Sequence, residues 1–222
     1  MSRPEQNLAI AEAFSPLADE ERLPFFYELR HLMTKDTYTS FEELKSHEEI
    51  NRDFKIWTRD VGSPITIMAP HGGRIEPGTS YIARKIAGNK FNCYCFEGFK
   101  AGNNGRLHIT SHNFDEPQAL ELIARSETVV TVHACTDKDS RVYLGGLDKK
   151  LVSTIAGRLK AGGIARARTN SKYPGLNPYN ICNRGAAKKG AQLEVSRGLR
   201  DDLNQVNLLA AAIHAALTDF MA

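Results

Sequence analysis

The chain has 222 residues, 41% of them hydrophobic and 25% charged, and its 29 Lys and Arg against 26 Asp and Glu give a net charge of +3. That length and apolar content fit one core-bearing domain with a short arm and exclude a wholly disordered chain. No apolar run approaches the ~20 residues of a spanning helix, so no membrane association is expected. With no signal-peptide pattern, the four cysteines are expected to be free thiols in a reducing cytoplasm, with release by cell lysis as the route out.

Residues 1 to about 50 are polar and helix-leaning and read as an accessory arm. The apolar run 65–69, Ile-Thr-Ile-Met-Ala, is bounded by Gly62 and Pro64 before and Pro70 after, and predicts a buried strand. A helix is expected over 79–87, with Thr79 or Ser80 as N-cap and Gly88 just past its end. Strands follow at 91–96 and 107–110. The second of the two is short. Asp115-Glu116-Pro117 opens a helix to about residue 125, with Asp115 as its cap and Pro117 in the first turn, where a missing N–H costs nothing. Residues 128–132 are almost all β-branched and give the clearest strand; 141–144 predicts another. Leu151, Val152, Ile155, Ala156 and Leu159 mark a helix over 149–160 that ends at Gly162-Gly163. A strand at 164–168, a long surface loop over 169–190, a strand at 191–195 and a helix over 204–221 complete the chain. Strands alternating with helices at crossover distances imply a single-domain α/β fold. Its mixed, mostly parallel sheet is covered by helices on both faces, and ligands bind beyond the carboxyl ends of the strands.

That rule directs attention to Ala69-Pro70-His71-Gly72-Gly73-Arg74-Ile75-Glu76, immediately past the first buried strand. His71 and Glu76 carry good Zn²⁺ donors, and a Gly-rich turn can fold both inward. A turn-capping His and a solvated Glu are the alternative. His133 follows the β-branched strand; if the two strands are neighbours, His71, Glu76 and His133 form a His₂Glu set with a fourth position open. Otherwise His133 simply ends a strand. Glu194 lies between Leu193 and Val195, where it either acts as a proton acceptor beside a metal or faces outward on an alternating strand.

Several segments occur in a fixed order: Ala69-Pro70-His71-Gly72-Gly73, Ile75-Glu76-Pro77-Gly78-Thr79-Ser80, Phe96-Glu97-Gly98, Leu107-His108-Ile109-Thr110-Ser111, Phe114-Asp115-Glu116-Pro117, Val132-His133, Gly145-Gly146-Leu147-Asp148, Asn180-Ile181-Cys182-Asn183-Arg184-Gly185 and Gln192-Leu193-Glu194. Together they resemble the poly-γ-glutamate hydrolase family of phages and bacilli, over about residues 38 to 200. The resemblance implies a zinc-carboxypeptidase-like fold in a domain spanning 38–222, preceded by a helical arm at 1–37. It also implies cleavage of γ-glutamyl amide bonds in poly-γ-glutamate with Zn²⁺ as cofactor. His71, Glu76 and His133 match the zinc ligands, and Glu194 matches the general base. Two departures stand out: a His-x4-Glu spacing where ordinary zinc carboxypeptidases have His-x2-Glu, and Ala134 where a glycine is expected after His133.

Arg184, Asn183, Arg74 and His108 are the candidates for binding substrate, each also readable as a solvated or structural residue; Arg197 and Arg200 follow Glu194 as lesser candidates. Three rivals remain open. One is a zinc amidase acting on a peptidoglycan γ-glutamyl link or an N-acyl amino acid. The second is a metal-binding protein without catalysis, and the third a phage nucleic-acid-binding protein. Scattered basic residues balanced by 26 acids, with no recognised binding motif, argue against a nucleic-acid partner. A monomer is favoured.

Overall fold

The computed structural model describes residues 36–164, 167–169 and 172–221. The arm expected at 1–37 lies outside them apart from Asp36 and Thr37. Seven strands form one sheet in the order β1-β3-β2-β4-β7-β5-β6: β1 (Phe54–Arg59), β2 (Ile65–Gly73), β3 (Asn92–Gly98), β4 (Thr128–Cys135), β5 (Val142–Gly145), β6 (Ala167–Thr169) and β7 (Ala191–Ser196). β3, β2, β4 and β7 run parallel as the centre; β1 pairs antiparallel with β3 on one edge, and β5 antiparallel with β7 on the other. This is the mixed, mostly parallel sheet that the alternation of strands and helices implies. No helix among the described residues is long and apolar enough to cross a membrane.

Helices α2 (Thr79–Ala87), α4 (Lys149–Ala161) and α6 (Leu203–Phe220) cover one face of the sheet. Their apolar stripes pack on Ile65, Ile67, Val130, Val132, Leu193 and Val195, which all point to that side. Helices α1 (Phe41–His47) and α3 (Pro117–Ala124) lie on the opposite face. There Leu44, Ile123 and the rings of Phe54, Tyr94, Phe96 and Phe114 form a second core. Residues 38–50 are therefore integral to the domain rather than part of an arm, because the buried Leu44 and Tyr38 hold them against it.

Several local expectations change. Residues 107–110 form no strand: Leu107 ends a 3₁₀ turn (Asn104–Leu107), and the chain then crosses the second face as a loop. Helix α2 starts after Gly78, at φ 95°, without a side-chain cap; the Thr79 hydroxyl donates to the Glu76 carbonyl instead (2.8 Å). Helix α3 is capped by Glu116, not Asp115. Glu116 accepts from the Gln118 and Ala119 N–H groups and from the Tyr94 hydroxyl (2.8 Å), while Asp115 accepts from the Phe41 N–H. Residues 169–190 are not wholly a surface loop, since Asn180, Ile181, Cys182 and Asn183 are buried in and around a 3₁₀ turn (Ile181–Asn183). All four cysteines are free and buried.

Glu116 is almost fully buried and meets three donors, so the Glu116→Ala variant loses a helix cap and strands the Tyr94 hydroxyl in the core. Its unfolding free energy is expected to fall by about 2–3 kcal/mol in urea titration, against a few tenths for Asp115→Ala at the half-exposed neighbour.

Candidate active site

The carboxyl ends of the four parallel strands bring the site together. On β4, Val130 and Val132 face the first core, so Val129, Thr131 and His133 point to the second face. On β7, Leu193 and Val195 likewise leave Glu194 on the second face, and Glu194 is the register partner of His133. In neighbouring strands ~4.8 Å apart, those two side chains stand next to each other. Strict alternation along β2 would send His71 the other way, with Ile67 and Ala69. The β2 register against β3 shifts between Ala69 and Gly72, so that two β2 residues oppose Phe96 alone. This bulge turns His71 onto the second face, among His108, Phe114 and His133. Gly72 is required beside it, because a Cβ there would lie 2.1 Å from the Ser80 hydroxyl and 2.8 Å from the Phe96 carbonyl oxygen.

The five-residue spacing to Glu76 is closed by a reverse turn. The Glu76 N–H donates to the His71 carbonyl (2.8 Å), which brings the carboxylate back beside its own strand. One donor atom each from His71, Glu76 and His133 then lies within 4.8 Å of the others. His71 Nδ1 is 3.2 Å from His133 Nδ1 and 3.4 Å from Glu76 Oε1; His133 Nδ1 is 3.8 Å from Glu76 Oε2. Metal–ligand distances of ~2.0–2.1 Å set donor separations around tetrahedral zinc at roughly 3.3 Å, close to those observed. The far nitrogen of His71, Nε2, lies 2.8 Å from the Ile109 carbonyl, which can only accept; Nε2 therefore holds the proton and Nδ1 presents a lone pair. With their lone pairs turned towards one another, two imidazole nitrogens and a carboxylate at such distances need a proton or a metal cation among them. The donor set fits a divalent ion. Ala134 takes part through its backbone, its N–H donating to Glu76 Oε2 (3.0 Å), so the side chain after His133 does not matter for this bond.

The protonation states follow from these contacts. Burial lowers the His71 pKa, but the charge and hydrogen bond of Glu76 outweigh it and the net shift is upward. Burial raises Glu76, and His71 and His133 reverse this to a net lowering. Burial, then the charge of His71, lowers His108. Glu194 is held well above the usual carboxylate range, first by burial and then by the Glu76 charge, with Lys172 and Arg200 pulling the other way. Gln192, two residues before Glu194 on the same face, donates to its Oε1 (3.3 Å) and accepts from Asn180 (2.8 Å).

The other sequence candidates are spread more widely. His108 stacks on His71 with ring centroids 3.9 Å apart, and its Nδ1 meets Asp36 (2.8 Å). Asp36, assigned by sequence to the arm, also accepts from the Thr110 N–H (2.6 Å). Nothing in its local sequence signals that role. Arg184 donates to the Phe114 carbonyl (2.8 Å), on the loop whose Ser111 hydroxyl lies 3.4 Å from His133 Nε2. Arg74 is exposed and its guanidinium turns to the Lys100 carbonyl (2.9 Å). Asn183 is buried, and its amide is committed to backbone: it accepts from the Leu147 and Gly190 N–H groups and donates to the Gly175 and Asn177 carbonyls. Those bonds pin the 175–190 loop.

Comparison with known proteins places the chain in a family. The sequence model of a family described as poly-gamma-glutamate hydrolase matches residues 38–219. The chain is 36% identical over 180 residues to UPF0714 protein YndL of Bacillus subtilis (strain 168), covering 80% of this chain and 71% of that protein. A structure of bacteriophage poly-gamma-glutamate hydrolase superposes with a TM-score of 0.80 at 29% identity, over 84% of this chain and 99% of the phage chain. A structure of YndL in an apo, zinc-free form also gives 0.80, at 31% identity over 85% of this chain and all of the other (100%).

The raised Glu194 pKa carries a stability consequence in the metal-free protein. Between the unfolded carboxylate pKa and the raised folded value, the folded state holds a proton that the unfolded state has released, so stability falls as pH rises through that window. Glu194→Gln has no such proton. In the presence of a chelator, thermal scans are expected to show this variant melting higher than the parent near pH 8, with the gap narrowing towards about pH 4. A parent that melts as high as the variant near pH 8 would contradict the burial of an ionisable carboxyl there.

Proposed function

The chain belongs to the poly-γ-glutamate hydrolase family, and from that premise we propose that it is a zinc-dependent hydrolase of γ-glutamyl amide bonds whose substrate is poly-γ-glutamate. The observation that carries the proposal is the convergence of His71, Glu76 and His133 donor atoms at the strand ends, with Glu194 in register beside His133. The zinc-free form of the relative YndL supports zinc as the ion. His71, Glu76 and His133 would hold it, a three-residue donor set of the kind hydrolytic zinc sites use. When bound, zinc lowers the pKa of water towards ~7 and polarises the amide carbonyl.

Glu194 takes the proton of the attacking water and returns it to the departing amine nitrogen. Its buried setting raises its proton affinity above that of an ordinary carboxylate, which favours taking up the proton of the water. Gln192, fixed in turn by Asn180, orients the carboxylate through Oε1. The ring of His108, anchored by Asp36, keeps His71 from rotating. Arg184 has one of its five N–H groups on the Phe114 carbonyl and retains donors for a free carboxylate of the substrate.

Metal analysis and polymer cleavage test this assignment together. Glu194→Gln is expected to retain zinc and lose hydrolysis by about 10²–10⁴-fold, while His71→Ala and His133→Ala lose the metal. Full activity in Glu194→Gln removes that residue from the mechanism. Incubation with poly-γ-glutamate and, separately, with purified cell wall identifies the substrate by fragment size: the polymer should shorten, and cleavage of cell wall alone would overturn the substrate assignment.

A further inference from the structure

Helix α5 (Arg197–Arg200) is a single turn that follows β7 directly. Ser196 caps it by accepting from the Leu199 N–H (3.2 Å), and Leu199 is buried in the first core. Its other side lies against the segment after β4. The Gly198 N–H donates to the Asp137 carbonyl (3.2 Å), and a Cβ on Gly198 would lie 2.0 Å from the Lys138 carbonyl oxygen. The turn is wedged in place, which fixes where its last residue, Arg200, begins. The Arg200 stem then runs past Gly78, whose missing Cβ would stand 3.6 Å from the Arg200 Cδ.

The guanidinium donates to three backbone carbonyls on three separate segments. Nη1 meets the carbonyl of Pro77, Nη2 that of Cys135 (3.0 Å) and Nε that of Val195 (3.1 Å). Pro77 directly follows Glu76, Cys135 lies two residues after His133, and Val195 directly follows Glu194. His71 is included indirectly, since its carbonyl accepts from the Glu76 N–H. No other contact in the described residues spans the backbone next to Glu76, His133 and Glu194 at once. We infer that Arg200 is the positioning residue of the metal centre: by bridging the Pro77, Cys135 and Val195 carbonyls it fixes the spacing of the donor atoms and of Glu194, and so sets zinc affinity. This inference rests on the zinc-hydrolase assignment above.

The chemistry requires arginine in particular. A planar guanidinium presents five donors in a rigid fork, so separate N–H groups reach carbonyls in different directions. A lysine ammonium offers its donors from one point at the end of a flexible stem and cannot span three segments together. Partners outside the ligand shell that orient ligands weaken metal binding by 10–100-fold when lost. Arg197 serves as a control, because it is exposed and, among the described residues, pairs with Asp201 at 3.3 Å.

The test compares the full chain with its Arg200→Lys, Arg200→Met and Arg197→Met variants. Zinc affinity is read by competition with a chromogenic chelator, and melting temperature is read with and without zinc. Arg200→Met is expected to bind zinc about 10–100-fold more weakly, Arg200→Lys to recover only part of that loss, and Arg197→Met to match the parent. The zinc-induced rise in Tm should shrink in the same order. A merely structural arginine would lower the zinc-free and zinc-loaded Tm together and leave the affinity unchanged; that result overturns the inference while leaving the zinc assignment intact. If Arg200→Met fails to fold, Arg200→Lys decides, and parental zinc affinity in it overturns the inference. A parent chain that binds no zinc overturns the metal assignment itself, which is a different reading on the same titration.

Discussion

The site depends on one electrostatic constraint: two buried imidazoles, the buried carboxylate of Glu194 and the partly buried one of Glu76 gather at the same end of one sheet, and isolated charge in such a place is costly. The protein meets that cost locally. Glu76 is stabilised as an anion by His71 and His133, and His71 is favoured as a cation by Glu76, so the cluster already behaves as a seat for positive charge. Glu194 has no such partner in direct contact and keeps a high proton affinity. The two carboxylates of the site are thereby set apart in character, one suited to ligation and the other to proton transfer.

Holding those groups requires backbone devices that act across long sequence separations. Parallel pairing of β4 with β7 places Glu194 against His133; a one-residue slip would send one of them into the apolar core. The bulge in β2 does for His71 what pairing does for Glu194, and the turn from His71 to Glu76 completes the set. The second face of the sheet is therefore half core and half reaction chamber. Phe114 packs edge-on against both His71 and Phe96, so the apolar rings of this face continue directly into the histidine cluster.

The fold class was legible from the alternation of strands and helices, and the strands at 65–69, 128–132 and 191–195 from their β-branched and apolar runs. His71 and His133 were legible as strand-end residues that form a His₂Glu set with Glu76 if their strands are neighbours, and the resemblance to a family supplied the role of Glu194. What sequence could not supply is instructive in physical terms. Period-two reasoning puts His71 on the wrong face, because a bulge leaves no reliable local signature. Helix caps at Gly78 and Glu116 defeat the usual preference for Thr, Ser or Asp, since the hydroxyl of Thr79 and the carboxylate of Asp115 are engaged elsewhere. Asn183 reads as a candidate substrate binder because it is polar and sits in an Asn-rich segment, and nothing there signals the four backbone bonds that make it the pin of that segment. Asp36 was missed because its role depends on a partner 72 positions away.

The departure at Ala134 shows where tolerance lies in such a centre. The position contributes an N–H to Glu76, and any residue except proline with that backbone conformation supplies the same donor. Gly72 is the opposite case: a side chain there would collide with the Phe96 carbonyl and the Ser80 hydroxyl, and the bulge that turns His71 inward would be lost. Positions that act through the backbone in ordinary conformations are therefore free to vary, while positions that let two backbones approach are not. By that criterion the spacing His-x4-Glu is no defect. The intervening residues form the turn that returns Glu76 to His71, and the donor atoms of His71, Glu76 and His133 come within 4.8 Å of one another.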